Sequence, residues 1–250
     1  MTPRVFVTPE QLANDAGSIA LPEQDSHYLS QVLRLKPGAT IELFDGQGNR
    51  YEATLTSGDK RRVELGELRG IEALPDSPLR VTLVQGIARG DRMDWLIEKS
   101  CELGVHRIMP VNTANSTARV APDRAEKKRV HWHRVAVSAC AQSGRDTVPE
   151  VFEATSLTAA INACGENHPI IGLMPSAKQS LAAWSNEQKL YPGAGITLVV
   201  GPESGFSDAE SQSLTQRGVS ALSVGPRVLR TETAGVIGLA VLQAIAGDLK

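Results

Sequence analysis

Apolar and polar positions alternate, or apolar residues fall in short runs, over residues 4–7, 40–44, 50–55 and 62–68, with Pro37-Gly38, Asp45-Gly46-Gln47-Gly48 and Gly58 as punctuation. Alternation with a period of two predicts half-buried strands separated by turns. One helical stretch interrupts them at residues 24–35, where Tyr28, Leu29, Val32, Leu33 and Leu35 form an apolar stripe that stops at Lys36-Pro37-Gly38. Together these elements predict a small β-rich barrel over residues 1–72. The turn formers and acids that follow, including Pro75, Asp76, Ser77 and Pro78, mark a linker.

From residue 77 to 250 the pattern changes to strands alternating with longer helices, which predicts an α/β domain with a mainly parallel sheet. Strands are expected at 81–85, 107–111, 169–174, 196–200 and 221–224. A helix over 91–103 places Met93, Leu96, Ile97, Ser100 and Leu103 on one face, and Gly104 supplies its stop. A longer helix over 122–142 carries Trp132, Val135, Ala136, Ala139 and Cys140 along one side, with basic residues crowded near its start. The last helix runs over 233–246.

Composition narrows the function classes. A chain of 250 residues can bury a core without disulfides or metals. Cys101, Cys140 and Cys164 are far apart and form no CxxC pair, which fits a reduced, cytoplasmic chain. The one close histidine pair, His131 and His133, is spaced so that the rings leave a helix on different sides, so no metal site is expected. No apolar run is long enough to span a bilayer, and no membrane partner is expected. The net charge of −2 conceals an uneven distribution. Residues 1–76 hold 8 basic and 12 acidic side chains, residues 77–150 hold 12 and 8, and residues 151–250 hold 6 and 8. The positive charge therefore gathers in the middle of the chain, where Arg119, Arg124, Lys127, Lys128, Arg129, Arg134 and Arg145 face few acids, as a nucleic-acid surface would require.

Two glycine turns follow apolar strands late in the chain, Gly201-Pro202-Glu203-Ser204-Gly205-Phe206 and Gly225-Pro226-Arg227-Val228-Leu229-Arg230-Thr231-Glu232-Thr233-Ala234. Glycine at the carboxyl end of a strand lets a ligand approach the main chain, and ligands of open α/β sheets bind outside that end. Ordinary strand-to-helix turns are the alternative. Neither turn reads GxGxxG and no GxxxxGK[ST] is present, which weakens a nicotinamide oxidoreductase or a P-loop enzyme. Ser207-Asp208-Ala209-Glu210 has the form of a capping box and is read as structural.

The chain resembles the RsmE family of 16S ribosomal RNA uridine-N3 methyltransferases, of the SPOUT superfamily. The resemblance is carried by Arg4-Val5-Phe6, His27-Tyr28-Leu29 with Val32-Leu33-Arg34, Lys99 with Glu102-Leu103-Gly104-Val105, Gln142-Ser143-Gly144-Arg145 with Pro149, and the two glycine turns. It implies a PUA-like β-barrel ahead of a trefoil-knotted α/β methyltransferase domain, a homodimer, S-adenosylmethionine as cofactor, and 16S rRNA within the small ribosomal subunit as partner. It places cofactor contacts at Leu173, Gly201, Gly205, Val224, Gly225, Leu229 and Arg230. The reaction needs a cation or a base at the uracil edge, because N3 carries a proton. Arg230, Glu203 and Glu232 are the candidates, with Arg230 as the electrostatic partner and an Arg230–Glu232 ion pair pinning the loop as the alternative. Arg4, Arg34, Lys127, Lys128, Arg129 and Arg145 are the expected RNA contacts, with Lys60, Arg61 and Arg62 as a further basic cluster. Ser204 departs from the family's usual Gly-Pro-Glu-Gly-Gly, and a left-handed φ at that position would strain a serine by about 1 kcal/mol. The departure leaves open a non-catalytic RNA-binding protein of the same fold.

Overall fold

The computed structural model describes residues 2–13, 18–58, 62–164 and 168–249, and their contacts divide into two compact units. The first comprises Met1–Asp76 with Cys140–Val148, and the second Ser77–Ala139 with Pro149–Lys250.

In the first unit, β1 (Arg4–Phe6), β2 (Ser18–Ala20), β3 (Thr40–Phe44), β4 (Arg50–Gly58) and β5 (Val63–Ile71) form one sheet in the order β1-β3-β4-β5-β2. β1 runs parallel to β3 and the other pairs are antiparallel. Register shifts between Glu52 and Thr54 and between Leu55 and Ser57 bend the long β4–β5 ribbon, as bulges do. The inward residues of the alternating pattern, among them Val5, Ile41, Leu43, Leu55, Val63 and Leu65, close over Leu29. A short helix, α1 (Pro9–Leu12), is held by a capping box from Thr8 and Gln11.

The expected helix over 24–35 is divided. α2 (Glu23–His27) gives way to a π-helical turn, Tyr28–Val32, in which the Leu33 N–H reaches the Tyr28 carbonyl five residues back. Arg34 then takes a left-handed φ of 53°, and the Leu35 N–H closes on the Leu29 carbonyl. The wider turn breaks the α-periodic stripe. Leu29 is fully buried, whereas Tyr28, Val32 and Leu33 face outward.

The 140–148 segment contributes a buried carboxylate to this unit. Asp146 accepts from Arg4 and, at 2.9 Å, from the Leu74 N–H, while the Arg4 guanidinium lies 5.1 Å from the Phe44 ring. Arg145 grips Asp76 with two hydrogen bonds of 2.8 and 2.9 Å. Arg4 and Arg145, expected to contact RNA, are thus turned inward, with side chains only 6% and 9% exposed. Their charge is already met by carboxylates.

In the second unit, β6 (Arg80–Gly86), α3 (Arg92–Glu102), β7 (Arg107–Asn112), α4 (Pro122–Ser143), β8 (Glu150–Val151), β9 (Thr155–Ser156), α5 (Leu157–Ala163), β10 (Ile170–Leu173), α6 (Leu181–Glu187), β11 (Gly195–Val200), α7 (Asp208–Gln216), β12 (Ser220–Leu222) and α8 (Thr231–Ala246) follow in order. The sheet runs β12-β10-β11-β6-β7-β8, with β9 also on β7, and all its pairs are parallel. Strands covered on both faces are largely apolar, and the last five residues of β11, Ile196 to Val200, are all buried, Thr197 being the one polar residue among them. The carboxyl ends of β10, β11 and β12, at Leu173, Val200 and Leu222, emerge together and position the two glycine turns.

Candidate functional site

A cavity of about 280 Å³ opens at these strand ends. Its apolar floor includes Leu173, Leu222 and Phe206, and its walls are the two glycine turns. The first turn is pressed onto the end of β6. A Cβ on Gly86 would stand 2.5 Å from the Pro202 nitrogen and 2.8 Å from the Gly201 carbonyl carbon, so only glycine allows the approach. Gly205 (φ 72°) and Gly225 (φ 119°) hold the conformations that turn each loop back over the cavity. The capping box forms as expected, Ser207 and Glu210 bonding reciprocally at the start of α7.

Ser204 is not in the left-handed region; the glycine after it is. The serine therefore carries no backbone strain. Its hydroxyl donates to the Asn115 carbonyl, and the Ala114 N–H donates to Glu210 Oε1 at 2.8 Å, so the segment after β7 is fastened to the first turn.

A buried polar chain joins the turns. Gln85 Nε2 donates to Thr231 Oγ1 at 2.8 Å and to the Gly86 carbonyl at 3.0 Å, and the Thr231 hydroxyl donates to the Gly201 carbonyl. Gln85 is fully buried and Thr231 is 4% exposed, so these bonds act in a low-dielectric interior where an unmade partner is costly.

Of the residues expected at the cofactor, Leu173, Gly201, Gly205, Val224, Gly225 and Leu229 line this cavity, and so does Glu203. Arg230 and Glu232 face a neighbouring hollow with Arg92, Trp95 and Thr233, although Leu229 and Thr231, on either side of Arg230, belong to the main cavity. The alternative, a pair of Arg230 with one of these glutamates, does not form. Arg92 stands between the carboxylates instead, 3.6 Å from Glu203 and 3.7 Å from Glu232, while Arg230 is exposed and makes no ion pair among the described residues. Glu203 also accepts from the Arg89 N–H at 3.3 Å. The other carboxylate oxygen of Glu232 is buried and has no hydrogen-bond partner among the described residues.

On α4, Lys127 and Lys128 are exposed, with the Lys128 ammonium 5.9 Å from the Trp132 ring centre. Arg129 donates twice to Glu126, at 2.6 and 2.7 Å, which partly neutralises it. Arg34 is exposed in the first unit, Arg62 pairs with Glu64, and Lys60 and Arg61 lie outside the described residues. The sequence reading did not single out Gln85, Arg92 or Thr231. A glutamine ending an otherwise apolar strand, just before glycine, was the available signal for the first.

A parallel sheet whose strand ends carry two backbone-lined turns around one cavity, preceded by a small β unit, is the arrangement of an RNA methyltransferase domain behind a PUA domain. Residues 75–243 match the RNA methyltransferase domain family and residues 21–68 the RNA methyltransferase PUA domain. The ribosomal RNA small subunit methyltransferase E of Bacillus subtilis is 28% identical over 95% of this chain and 94% of its own. The enzyme of that name from Neisseria gonorrhoeae, solved with S-adenosylmethionine, is 33% identical over the whole of both chains, with a TM-score of 0.87. A Legionella pneumophila methyltransferase, also solved with the cofactor, is 31% identical over 99% of both, with a TM-score of 0.90. The chain belongs to the ribosomal RNA small subunit methyltransferase E family.

Proposed function

We propose that this chain transfers the methyl group of S-adenosylmethionine to N3 of a uridine in 16S rRNA, in the cytoplasm and within the small ribosomal subunit. The observation that carries the reading is the cavity at the ends of β10, β11 and β12. Its residues fit the cofactor: apolar side chains suit an adenine ring, and the glycine-exposed backbone of both turns offers N–H and C=O groups for a nucleoside. Leu173, Gly201, Gly205, Val224, Gly225 and Leu229 would hold it, with Thr231 fixing the spacing of the walls. The trefoil knot implied by the family resemblance would bring the two turns side by side.

When bound, S-adenosylmethionine supplies a methyl group already activated by its sulfonium. The protein's task is to align the uracil edge and lower the cost of removing the N3 proton. Arg230, exposed and without a carboxylate partner among the described residues, stabilises the negative charge that develops on the uracil edge. Glu203 and Glu232 are held by Arg92 and set the local field. N3 lies on the Watson–Crick edge, so the target base must be unpaired or flipped. Exposed Lys127 and Lys128 on α4 contact phosphates, with Arg129 beside them. A homodimer is supported by an apolar stripe on α8, where Ile237 is 39% exposed and Ala240, Val241 and Ala244 share its face, and by Trp95 on α3 at 42%.

The test is methyl transfer to small subunits from cells lacking this protein, read by mass spectrometry of rRNA nucleosides. The wild type should restore an N3-methyluridine. Arg230→Ala should bind cofactor in calorimetry and fold normally, yet lose about a hundredfold in rate, as when one electrostatic partner is removed. Near-normal turnover would take Arg230 out of the mechanism.

A further inference from the structure

The charges of the first unit are arranged unequally. Arg4 is met by Asp146, Arg50 by Glu42, Arg62 by Glu64, Arg69 by Glu52 and Arg145 by Asp76. Among the described residues of this unit, Arg34 and Lys36 are the basic side chains that make no ion pair, and both are exposed. They follow the π-helical turn in the chain, and that turn and the residue after it carry three exposed apolar side chains: Tyr28 is 46% exposed, Val32 59% and Leu33 37%. The carboxylates of this stretch, Glu23 and Asp25, lie at its opposite end.

The π-turn creates this arrangement. An α-helix continued through 28–35 would carry Tyr28, Val32 and Leu35 on one stripe with Leu29 toward the core. The extra residue per turn instead keeps Leu29 inside, with Leu35 packed beside it, and turns three apolar side chains out, and the left-handed Arg34 ends the helix directly after them. π-turns and non-glycine residues at positive φ carry a local cost and gather at functional sites. No packing inside the unit is gained by exposing a tyrosine, a valine and a leucine together.

We propose that this face, Tyr28 with Val32, Leu33, Arg34 and Lys36, is a docking surface for an unpaired RNA nucleotide, whose base stacks on the Tyr28 ring while Arg34 and Lys36 hold the flanking phosphates. Aromatic rings accept any base through its face, and unpartnered cations beside them select a polyanion over a protein loop. The inference rests on the reading of the chain as an RNA methyltransferase and adds to it a single-strand contact on the unit that does not hold the cofactor.

The experiment uses the full chain and a labelled oligouridine strand, free and annealed to oligoadenine, in equilibrium binding at several salt concentrations. Cofactor calorimetry and sedimentation accompany each variant. The free strand should bind more tightly than the duplex. Tyr28→Ala should weaken it about tenfold, and Tyr28→Phe, which keeps the ring, should not. Joint Arg34→Gln and Lys36→Gln should reduce the salt slope by about 1 to 2. Cofactor affinity should stay at the wild-type value in all of them. The surface is overturned if oligouridine affinity ignores Tyr28→Ala while cofactor binding is intact, if the wild type binds no oligouridine, or if Tyr28→Ala changes the oligomeric state, which would make the face a protein contact. Failure of the wild type to bind cofactor or transfer methyl would instead remove the methyltransferase reading.

Discussion

The two glycine turns follow strands of one sheet, begin with Gly-Pro and wall one cavity, yet they are secured in opposite ways. The first is fastened on every side: Gly201 packs on the Phe206 ring, Gly86 admits Pro202, Arg89 and Arg92 hold Glu203, Ser204 ties down Asn115, and α7 begins from a capping box. The second stands open, with Pro226 and Arg227 exposed and Val228 at 80%, and is anchored at its end by Thr231. A site assembled from one fixed and one loosely held wall can admit a nucleoside through the loose wall and align it against the fixed one. Substitutions should therefore act differently on the two turns.

The largest effect is expected at Gly86. A single methyl there meets backbone atoms rather than a flexible side chain, so the first turn must move bodily. Gly86→Ala should cost about 3 kcal/mol of stability, as overpacking does. If the same energy is lost from the bound state, S-adenosylmethionine binding should weaken about a hundredfold, the affinity equivalent of about 3 kcal/mol. Thermal unfolding and calorimetry on the same variant check both. Wild-type affinity would mean that the first wall is not the fixed one.

Thr231 joins the two walls, and its removal should be felt next. Thr231→Val keeps the shape but leaves the Gly201 carbonyl without its donor and takes one acceptor from Gln85, at a cost of about 1 to 2 kcal/mol. Cofactor affinity should fall about tenfold, in proportion to that energy. Thr231→Ser, which keeps the hydroxyl, should restore most of it, whereas wild-type affinity in Thr231→Val would take the hydroxyl out of the link between the walls.

How far this site could be read from sequence follows from how local its parts are. The glycine turns, their strands and the Ser207–Glu210 cap are each written within a few consecutive residues, and the structure places them around one cavity. The π-turn was not legible, because α- and π-helical turns have the same composition and differ by one residue in closure. Nor were the polar links. Gln85 and Thr231 are 146 positions apart, and Arg4 and Asp146 are 142 apart. Arg4 and Arg145 looked like phosphate ligands because a basic side chain gives no sign in sequence of the carboxylate that neutralises it. The same blindness hid Arg92, whose carboxylates arrive from two other segments. Ser204 was the opposite error: a departure from the expected glycine suggested strain, but the left-handed residue is its neighbour, Gly205.

The smallest effect separates what Ser204 does from what its position demands. Ser204→Ala removes an exposed hydrogen bond to the Asn115 carbonyl, so stability should change by only about 0.5 kcal/mol, the low end for such a bond. The local consequence should be larger than the global one, with faster amide exchange over residues 113–117 and little change in cofactor affinity. Ser204→Gly, which restores the residue usual in the family, should behave like alanine or slightly worse, because the serine backbone is already relaxed and glycine adds freedom to the unfolded chain. A gain of about 1 kcal/mol from Ser204→Gly would instead mean that this turn stores strain at residue 204, and the first wall would no longer be the rigid member of the pair.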